Sequence, residues 1–451
     1  MKTAAIIIFI VMYALMVLLP KWRYLVALIT AGVFVAAGML PVSAVPTAID
    51  WNVLMMIFGT MVIVDYFIES KMPEKIADAL LRLCPNVMWV TIIMSLFSGI
   101  VSAFIDNVAT VLMIAPVGLA ICKKLKISPV PMLISIAVSS NLQGAATLVG
   151  DTTSIMLAGA AGMNFNDFIW FHGKPGIMFA VELGALATIP IMMVLFRKDR
   201  QPVDSDQHTE VKDYVPTITM LGHVVGLIIA SFIPNTPAMI NGYICMAFGI
   251  LTIVWELVKQ KSKDGMIHSL QNMDYQTMLL LAGLFVVIAG VRNVGLIDDL
   301  ANLIAAAGGS NMFLLYSIVV WGSVLISAFI DNIPYVATML PLMGAVATTM
   351  NVEPYFLYFG LLVGATLGGN LTPIGASANI AAVGMLRKEG YEVRFRDFFR
   401  IGIPFTLTAV VVGYLFVWAV YHPSGKVHGS LKIHIFSGIM NLIAAGTGVD
   451  C

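Results

Sequence analysis

Apolar residues run almost without interruption along this chain, and the breaks between the runs define its elements. Segments long enough to cross a bilayer as helices cover roughly 4–20, 24–40, 52–69, 174–196, 217–233, 238–258, 275–292 and 401–420. Residues 88–122 and 311–350 read differently, each as two shorter apolar arms around a polar tip. Residues 130–162 and 355–386 are long apolar stretches interrupted by Gly, Pro, Thr and Asn, the pattern of broken helices. The two tips are identical: Ser102-Ala103-Phe104-Ile105-Asp106-Asn107 recurs as Ser327-Ala328-Phe329-Ile330-Asp331-Asn332, 225 residues later. At the same spacing Pro116 matches Pro341, Gly144 matches Gly369, Gly150 matches Gly375 and Ile155 matches Ile380. Upstream, Asp50-Trp51 matches Asp274-Tyr275 and Gly59 matches Gly283 at a spacing of 224. The chain is a duplication.

The placement of Lys and Arg tests the count of spans, because basic residues collect on the cytoplasmic side. With Lys21 and Arg23 inside, 88–122 entering and leaving from the cytoplasm, and 311–350 entering and leaving from outside, 20 of the 25 basic residues fall inside. Lys2, Lys174, Arg292, Lys426 and Lys432 are the exceptions. Treating either tip segment as a full crossing reverses every later loop. The expectation is therefore ten crossings, two re-entrant hairpins, and both termini outside. Five crossings per half is an odd number, so the halves have opposite orientations. The surface segments agree: 73–84 carries Lys75 and Arg82, whereas 297–308 has Asp299 and Ala306 at the matching places.

The predicted fold class is thus an all-α polytopic membrane protein of two inverted-topology repeats. Each repeat has five transmembrane helices and one re-entrant helical hairpin, with broken helices at the midplane. The first repeat covers 1–200 with its cytoplasmic-side hairpin at 88–122, a cytoplasmic linker covers 201–216, and the second repeat covers 217–420 with its outside hairpin at 311–350. Residues 421–451 match neither repeat. The run at Met1–Pro20 reads as a retained first helix rather than a cleaved leader.

Composition narrows the class further. Of 451 residues, 59% are apolar and 11% charged, more hydrophobic surface than a soluble domain of this size can cover, so the bilayer is the expected surrounding. The expected location is a bacterial-type inner (plasma) membrane. Cys84, Cys122, Cys245 and Cys451 are scattered, fitting neither a disulfide framework nor a zinc site. The histidines fall at expected span ends or in the tail, without HExxH spacing, and no Ser/His or Cys/His pair is expected at membrane depth, which argues against an enzyme. Arg394 to Arg400, with three Phe among them, reads as a cytoplasmic interfacial helix, not a nucleic-acid surface. There is no Walker A sequence for ATP and no cofactor is expected.

Ionisable groups inside a membrane span are costly and mark function. Asp106, Asp331 and Asp151 lie at that depth with no Lys or Arg expected beside them. Each must be protonated, hydrogen-bonded or paired with a bound cation. The competing reading is that each caps a helix while Asn107 and Asn332 satisfy the tip. Opposed tips would meet the helix breaks near the midplane, where free backbone groups can replace an ion's hydration shell. Gly150-Asp151-Thr152-Thr153-Ser154 and Gly375-Ala376-Ser377-Ala378-Asn379 supply that chemistry, with Asn141, Thr147, Asn370 and Thr372 just upstream. Ser102 and Ser327 stand at the tips. Sodium at Asp106, Asn107, Asp331 and Asn332, or a proton on the aspartates, is the expected coupling ion.

The run S-A-F-I-D-N-V-A-T-V with Pro116 downstream, then N-L-Q-G-A-A-T-L-V-G-D-T-T-S, and G-G-N-L-T-P-I-G-A-S-A-N in the second half, resembles the ArsB/NhaD ion transporter superfamily from about residue 24 to 420. That group includes arsenite permeases, sodium/proton antiporters, the melanosomal P protein, and citrate and dicarboxylate carriers. The dicarboxylate carriers have Ser-Asn-Thr at their tips, whereas this chain has Asp106-Asn107-Val108 and Asp331-Asn332-Ile333. Gly150-Asp151-Thr152-Thr153 looks like the antiporter and P-protein branches, and Gly375-Ala376-Ser377-Ala378-Asn379 like the arsenite-permease and citrate-carrier branches. The resemblance implies a homodimer. It also implies a secondary active transporter, proton- or sodium-coupled, carrying a small inorganic or organic anion or oxyacid by alternating access. A sodium/proton antiporter is the alternative and an ion channel a more remote one.

Overall fold

A computed structural model describes residues 1–203, 209–260, 264–309 and 311–423. The unmatched tail expected at 421–451 lies outside the described residues except for 421–423. The first half runs through α1 (Lys2–Leu18), α2 (Arg23–Ala36), α3 (Val45–Ala48), α4 (Trp51–Glu69), α5 (Met72–Leu81), α6 (Val87–Ser102), α7 (Asn107–Leu125), α8 (Val130–Gln143) and α9 (Thr152–Ala161). A two-stranded hairpin, β1 (Trp170–Phe171) and β2 (Lys174–Pro175), then leads into α10 (Ile177–Leu195). The second half follows as α11 (Val215–Ser231), α12 (Ile240–Gln260), α13 (Asp264–Asn272), α14 (Tyr275–Asn293), α15 (Leu296–Gly308), α16 (Met312–Ser327), α17 (Asn332–Met350), α18 (Tyr355–Gly368), α19 (Ser377–Lys388) and α20 (Phe395–Tyr421). Among the described residues seven helices are long and apolar enough to cross a membrane, or up to nine if each of two sharply bent pairs is one span.

The duplication extends to how each helix begins and ends. Helix N-termini leave backbone N–H groups unpaired, and a short polar side chain at the cap accepts from them. Asp50 accepts from Val53 and its match Asp274 from Thr277, while Asn86 accepts from Trp89 and its match Asn311 from Phe313 and Leu314. Left-handed backbone also recurs. Lys126 ends α7 at φ 55° and Asn351 ends α17 at φ 52°. Lys71 at φ 62° precedes α5, and in the second half the same place before α15 is Gly295 at φ 73°.

The halves interlock through their early helices: α12 packs along α4, and α2 packs along α14. The matched glycines permit both contacts. A Cβ on Gly59 would stand 2.3 Å from the Cys245 carbonyl carbon, and one on Gly283 would stand 2.9 Å from that of Ala27. Around the perimeter, Ile218, Leu221, Val225 and Ile229 of α11 are exposed at three- and four-residue intervals. In water such a stripe costs about 1.5–3 kcal/mol per side chain, and lipid removes that cost.

Several expectations change in detail. The broken helices fall as expected: α8 ends in a 3₁₀ turn, Gly144–Ala146, before α9, and α18 ends in Gly369–Leu371 before α19. The stretch near 394–400 is no separate interfacial helix but the first turns of the continuous 27-residue α20. The segments at 4–20 and 24–40 form helices of 17 and 14 residues that meet at a bend of 116° after a 3₁₀ turn at Pro20–Trp22. At about 1.5 Å per residue, α2 alone falls short of a hydrocarbon core about 30 Å thick.

Candidate functional site

The Asp at each tip caps the helix that follows. Asp106 Oδ1 accepts from the N–H groups of Val108 at 2.9 Å and Ala109 at 3.3 Å, and Asp331 Oδ1 accepts from Ile333 at 3.2 Å. The capping reading is thus correct for both residues, yet both also face a cavity of about 340 Å³, so capping does not exhaust either carboxylate. Behind each tip the helix break closes against it. Thr147 Oγ1 donates to the Ala103 carbonyl, and its match Thr372 donates to that of Ala328. A Cβ on Gly150 would stand 2.6 Å from the carbonyl oxygens of Ser102, Ala103 and Gly144. One on Gly375 would stand 2.6–2.8 Å from those of Ser327, Ala328 and Gly369. Glycine is required here by close approach of backbone to backbone.

Amide side chains join the two halves at the centre. Asn141 Oδ1 accepts from Asn107 Nδ2 at 2.9 Å and from Asn332 Nδ2 at 3.4 Å, so one asparagine receives both tips. Its Nδ2 donates to Asn370 Oδ1 at 3.0 Å and to the Thr366 carbonyl at 2.8 Å, while Asn370 Nδ2 donates to the Val138 carbonyl at 2.9 Å. Ser102 Oγ donates to Asn107 Oδ1 at 3.4 Å, and Ser327 Oγ donates to Asn332 Oδ1 at 2.7 Å. A network satisfied this fully inside an apolar body fixes the relative placement of its members.

The expected site residues therefore divide into two sets. Asp106, Asn107, Asn141, Gly150, Asp151, Thr152, Asp331, Asn332 and Ser377 line the cavity. Ser102, Thr153, Ser154, Ser327, Asn370, Thr372, Gly375 and Asn379 stand behind it as buried support. Thr153 Oγ1, for example, donates to Asp151 Oδ2 at 2.7 Å, and Asn379 Nδ2 donates to the carbonyls of Gly369 and Thr372, both at 3.1 Å. Ser154 Oγ and Asn379 Oδ1, at matched positions, are buried with no hydrogen-bond partner among the described residues.

Arg23 overturns one expectation outright. It is not in a loop remote from the aspartates: its Nη1 lies 2.8 Å from Asp331 Oδ2, and both side chains are largely buried. The bend between α1 and α2 makes this possible, since Arg23 is the first residue of α2 and its Nε donates to the Pro20 carbonyl at 3.0 Å. Ser377 Oγ completes the cage around Asp331 Oδ2 at 2.7 Å. No such cation reaches Asp106 or Asp151 among the described residues. A second expectation fails more quietly. His223 lies within α11 rather than at a span end, and its Nε2 is 3.2 Å from Cys245 Sγ, so a buried Cys/His pair exists. Neither residue lines the cavity.

Sequence reasoning also missed Ser140, Thr366, Asp65, Asp274 and Thr277. Ser140 Oγ donates to Ser102 Oγ at 3.0 Å and to the Asn107 carbonyl at 3.1 Å. Thr366 meets Thr153 hydroxyl to hydroxyl at 3.3 Å. Asp65, Asp274 and Thr277 line the cavity. Of these Asp274 carried a signal, as the match of Asp50, and Asp65 reads in the sequence as an interfacial acid near the cytoplasmic end of its span, whereas it lines the cavity.

The citrate transporter family model matches residues 7–364. An uncharacterized transporter of Mycobacterium tuberculosis is 32% identical over 435 residues, covering 94% of this chain and all of the relative. The human P protein is 26% identical over 449 residues, covering 81% of this chain and 53% of that protein. Among solved structures, the YdaH transporter of Alcanivorax borkumensis superposes with a TM-score of 0.62 at 14% identity, covering 89% of this chain and 98% of that one. MtrF of Neisseria gonorrhoeae, described as one of a class of antimetabolite efflux pumps, gives a TM-score of 0.55 at 14% identity, covering 84% and 82%. These findings agree with the ArsB/NhaD resemblance, and at such identities the two structures speak to the fold alone. The chain is a multi-pass membrane transporter and belongs to the citrate transporter family.

Proposed function

We propose that this protein is a secondary active transporter that moves a small anion or oxyacid, driven by a proton or sodium gradient, with the cavity between the two tips exposed alternately to each side. The observation that carries this reading is the composition of the cavity wall. The N-termini of α7, α9, α17 and α19 all converge on it through Asp106, Thr152, Asp331 and Ser377, and helix N-termini favour anionic or oxygen-rich ligands. Asp106 and Asp151 face the same space without a basic partner among the described residues, which supports a coupling cation, Na⁺ or H⁺, bound with help from Asn107. The matched halves support inverted repeats with re-entrant hairpins, the arrangement suited to alternating access.

A sodium/proton antiporter is the second reading, favoured by the same excess of carboxylates over bases. Flux in proteoliposomes separates the two. Uptake of citrate or arsenite driven by an imposed gradient supports the anion or oxyacid carrier. Exchange of sodium for protons with neither solute moving would replace it.

A further inference from the structure

We propose that Arg23 is a resident counter-ion for Asp331, so that the duplicated aspartates divide the work: Asp331 stays charged and paired, and only the first half-site, Asp106 with Asp151, takes the coupling cation. This deepens the transport reading and rests on it. Four contacts define the second half-site. Asp331 Oδ2 receives Arg23 Nη1 at 2.8 Å and Ser377 Oγ at 2.7 Å, Asp331 Oδ1 receives the Ile333 N–H at 3.2 Å, and Arg23 Nε is itself held by the Pro20 carbonyl at 3.0 Å. A cation can reach this carboxylate only by displacing a guanidinium that is anchored at both ends and fixed in charge at any working pH.

The first half-site keeps the backbone cap, with the Val108 N–H on Asp106 Oδ1 at 2.9 Å, but among the described residues it has no guanidinium, for traceable reasons. Gly59 and Gly283 are matched, and the residues pressed against them across the halves are Cys245 and Ala27. Counting back four positions from Ala27 gives Arg23, and four back from Cys245 gives Asn241, a buried neutral amide. The duplication therefore placed a cation beside one tip and an amide at the corresponding place in the other half. The second carboxylate is distributed in the opposite sense. Asp151 lines the cavity in the first half, and its match in the second is Ala376. Among the described residues the first half-site thus holds two carboxylates without a basic partner, whereas the second holds one carboxylate and one guanidinium. Without Arg23 the protein would present cation sites at both tips and couple to one more cation in each cycle.

The test uses the full chain in proteoliposomes with citrate and arsenite as the solutes, reading cation stoichiometry from the gradient at which net flux reverses, under sodium and proton gradients in turn. Arg23→Gln should require one more cation per cycle, Arg23→Lys should keep the wild-type stoichiometry, and Arg23→Gln combined with Asp331→Asn should transport more slowly but with the wild-type stoichiometry. Unchanged stoichiometry in an active Arg23→Gln protein overturns the proposal. So does loss of gradient-driven flux in the folded double variant, which would make Asp331 itself a coupling site even if the single variant is inactive. Wild-type flux that ignores both gradients defeats the transport reading instead.

Discussion

At the first tip, Asp106 faces the cavity together with Asp151 and, among the described residues, no basic side chain, whereas at the second Asp331 meets Arg23 and the place matching Asp151 is Ala376. The backbone around the two tips is nearly a copy. Gly150 and Gly375 press against matched sets of three carbonyls, Thr147 and Thr372 donate to matched carbonyls, and Asn141 receives both tip asparagines. Duplication preserved the frame that holds a site and let its charge diverge. Frame residues should therefore respond alike in the two halves, and charged residues should not.

The largest effect is expected at Asp106. Removing a carboxylate that holds a cation away from water forfeits about 3 kcal/mol, so gradient-driven flux through Asp106→Asn should fall by about 100-fold, with the folded yield preserved on size exclusion. Next comes Asn141→Ala, which leaves the amides of Asn107, Asn332 and Asn370 short of partners. At about 1–3 kcal/mol for each buried group left unpaired, this variant should lower the thermal midpoint by several degrees and slow flux in both directions. Gly150→Ala and Gly375→Ala should each cost about 1–3 kcal/mol through overpacking, and by similar amounts in a thermal melt. A large loss at one glycine only would break the claim of a shared frame.

The smallest effect lies away from both tips. Asp213, in the polar linker between the halves, accepts from Lys259 at 2.9 Å, Trp255 at 3.0 Å and the Val215 N–H at 3.0 Å. Partial burial pushes its carboxyl up, but these donors together hold it below its ordinary value. A depressed carboxylate stabilises the fold fully above its unfolded value of about 3.9 and loses that contribution as pH falls through the lower folded one. Asp213→Asn should therefore flatten the acid limb of a stability–pH curve and leave flux near neutrality unchanged.

Much of the frame was legible in the sequence because duplication repeats its signals. An unchanged hexapeptide in an apolar run marks both tips, and Gly150, Gly375, Asn141 and Asn370 announce themselves as polar or flexible residues where a plain span has neither. Arg23 was illegible for a specific reason. Counting basic residues by side treats any Arg between two apolar runs as a loop marker, and its partner lies 308 positions away, across a bend that periodicity does not reveal. Ser140 and Thr366 were hidden because hydroxyl residues on apolar helices commonly bond the carbonyl one turn back, as Ser135 does to Pro131 and Thr408 to Pro404. Only the assembled helices show which hydroxyls turn to the tips. The Cys245 and His223 pairing follows from how α11 meets α12, which no local pattern fixes.

The most direct test of the claim that Asp106 takes the coupling cation is solute flux in proteoliposomes, with citrate, arsenite and sodium offered under imposed proton and sodium gradients to the wild-type protein and Asp106→Asn. The account predicts that wild-type flux follows one of the gradients and that Asp106→Asn loses it. Undiminished gradient-driven flux in Asp106→Asn would contradict it, leaving Asp106 as a helix cap and nothing more.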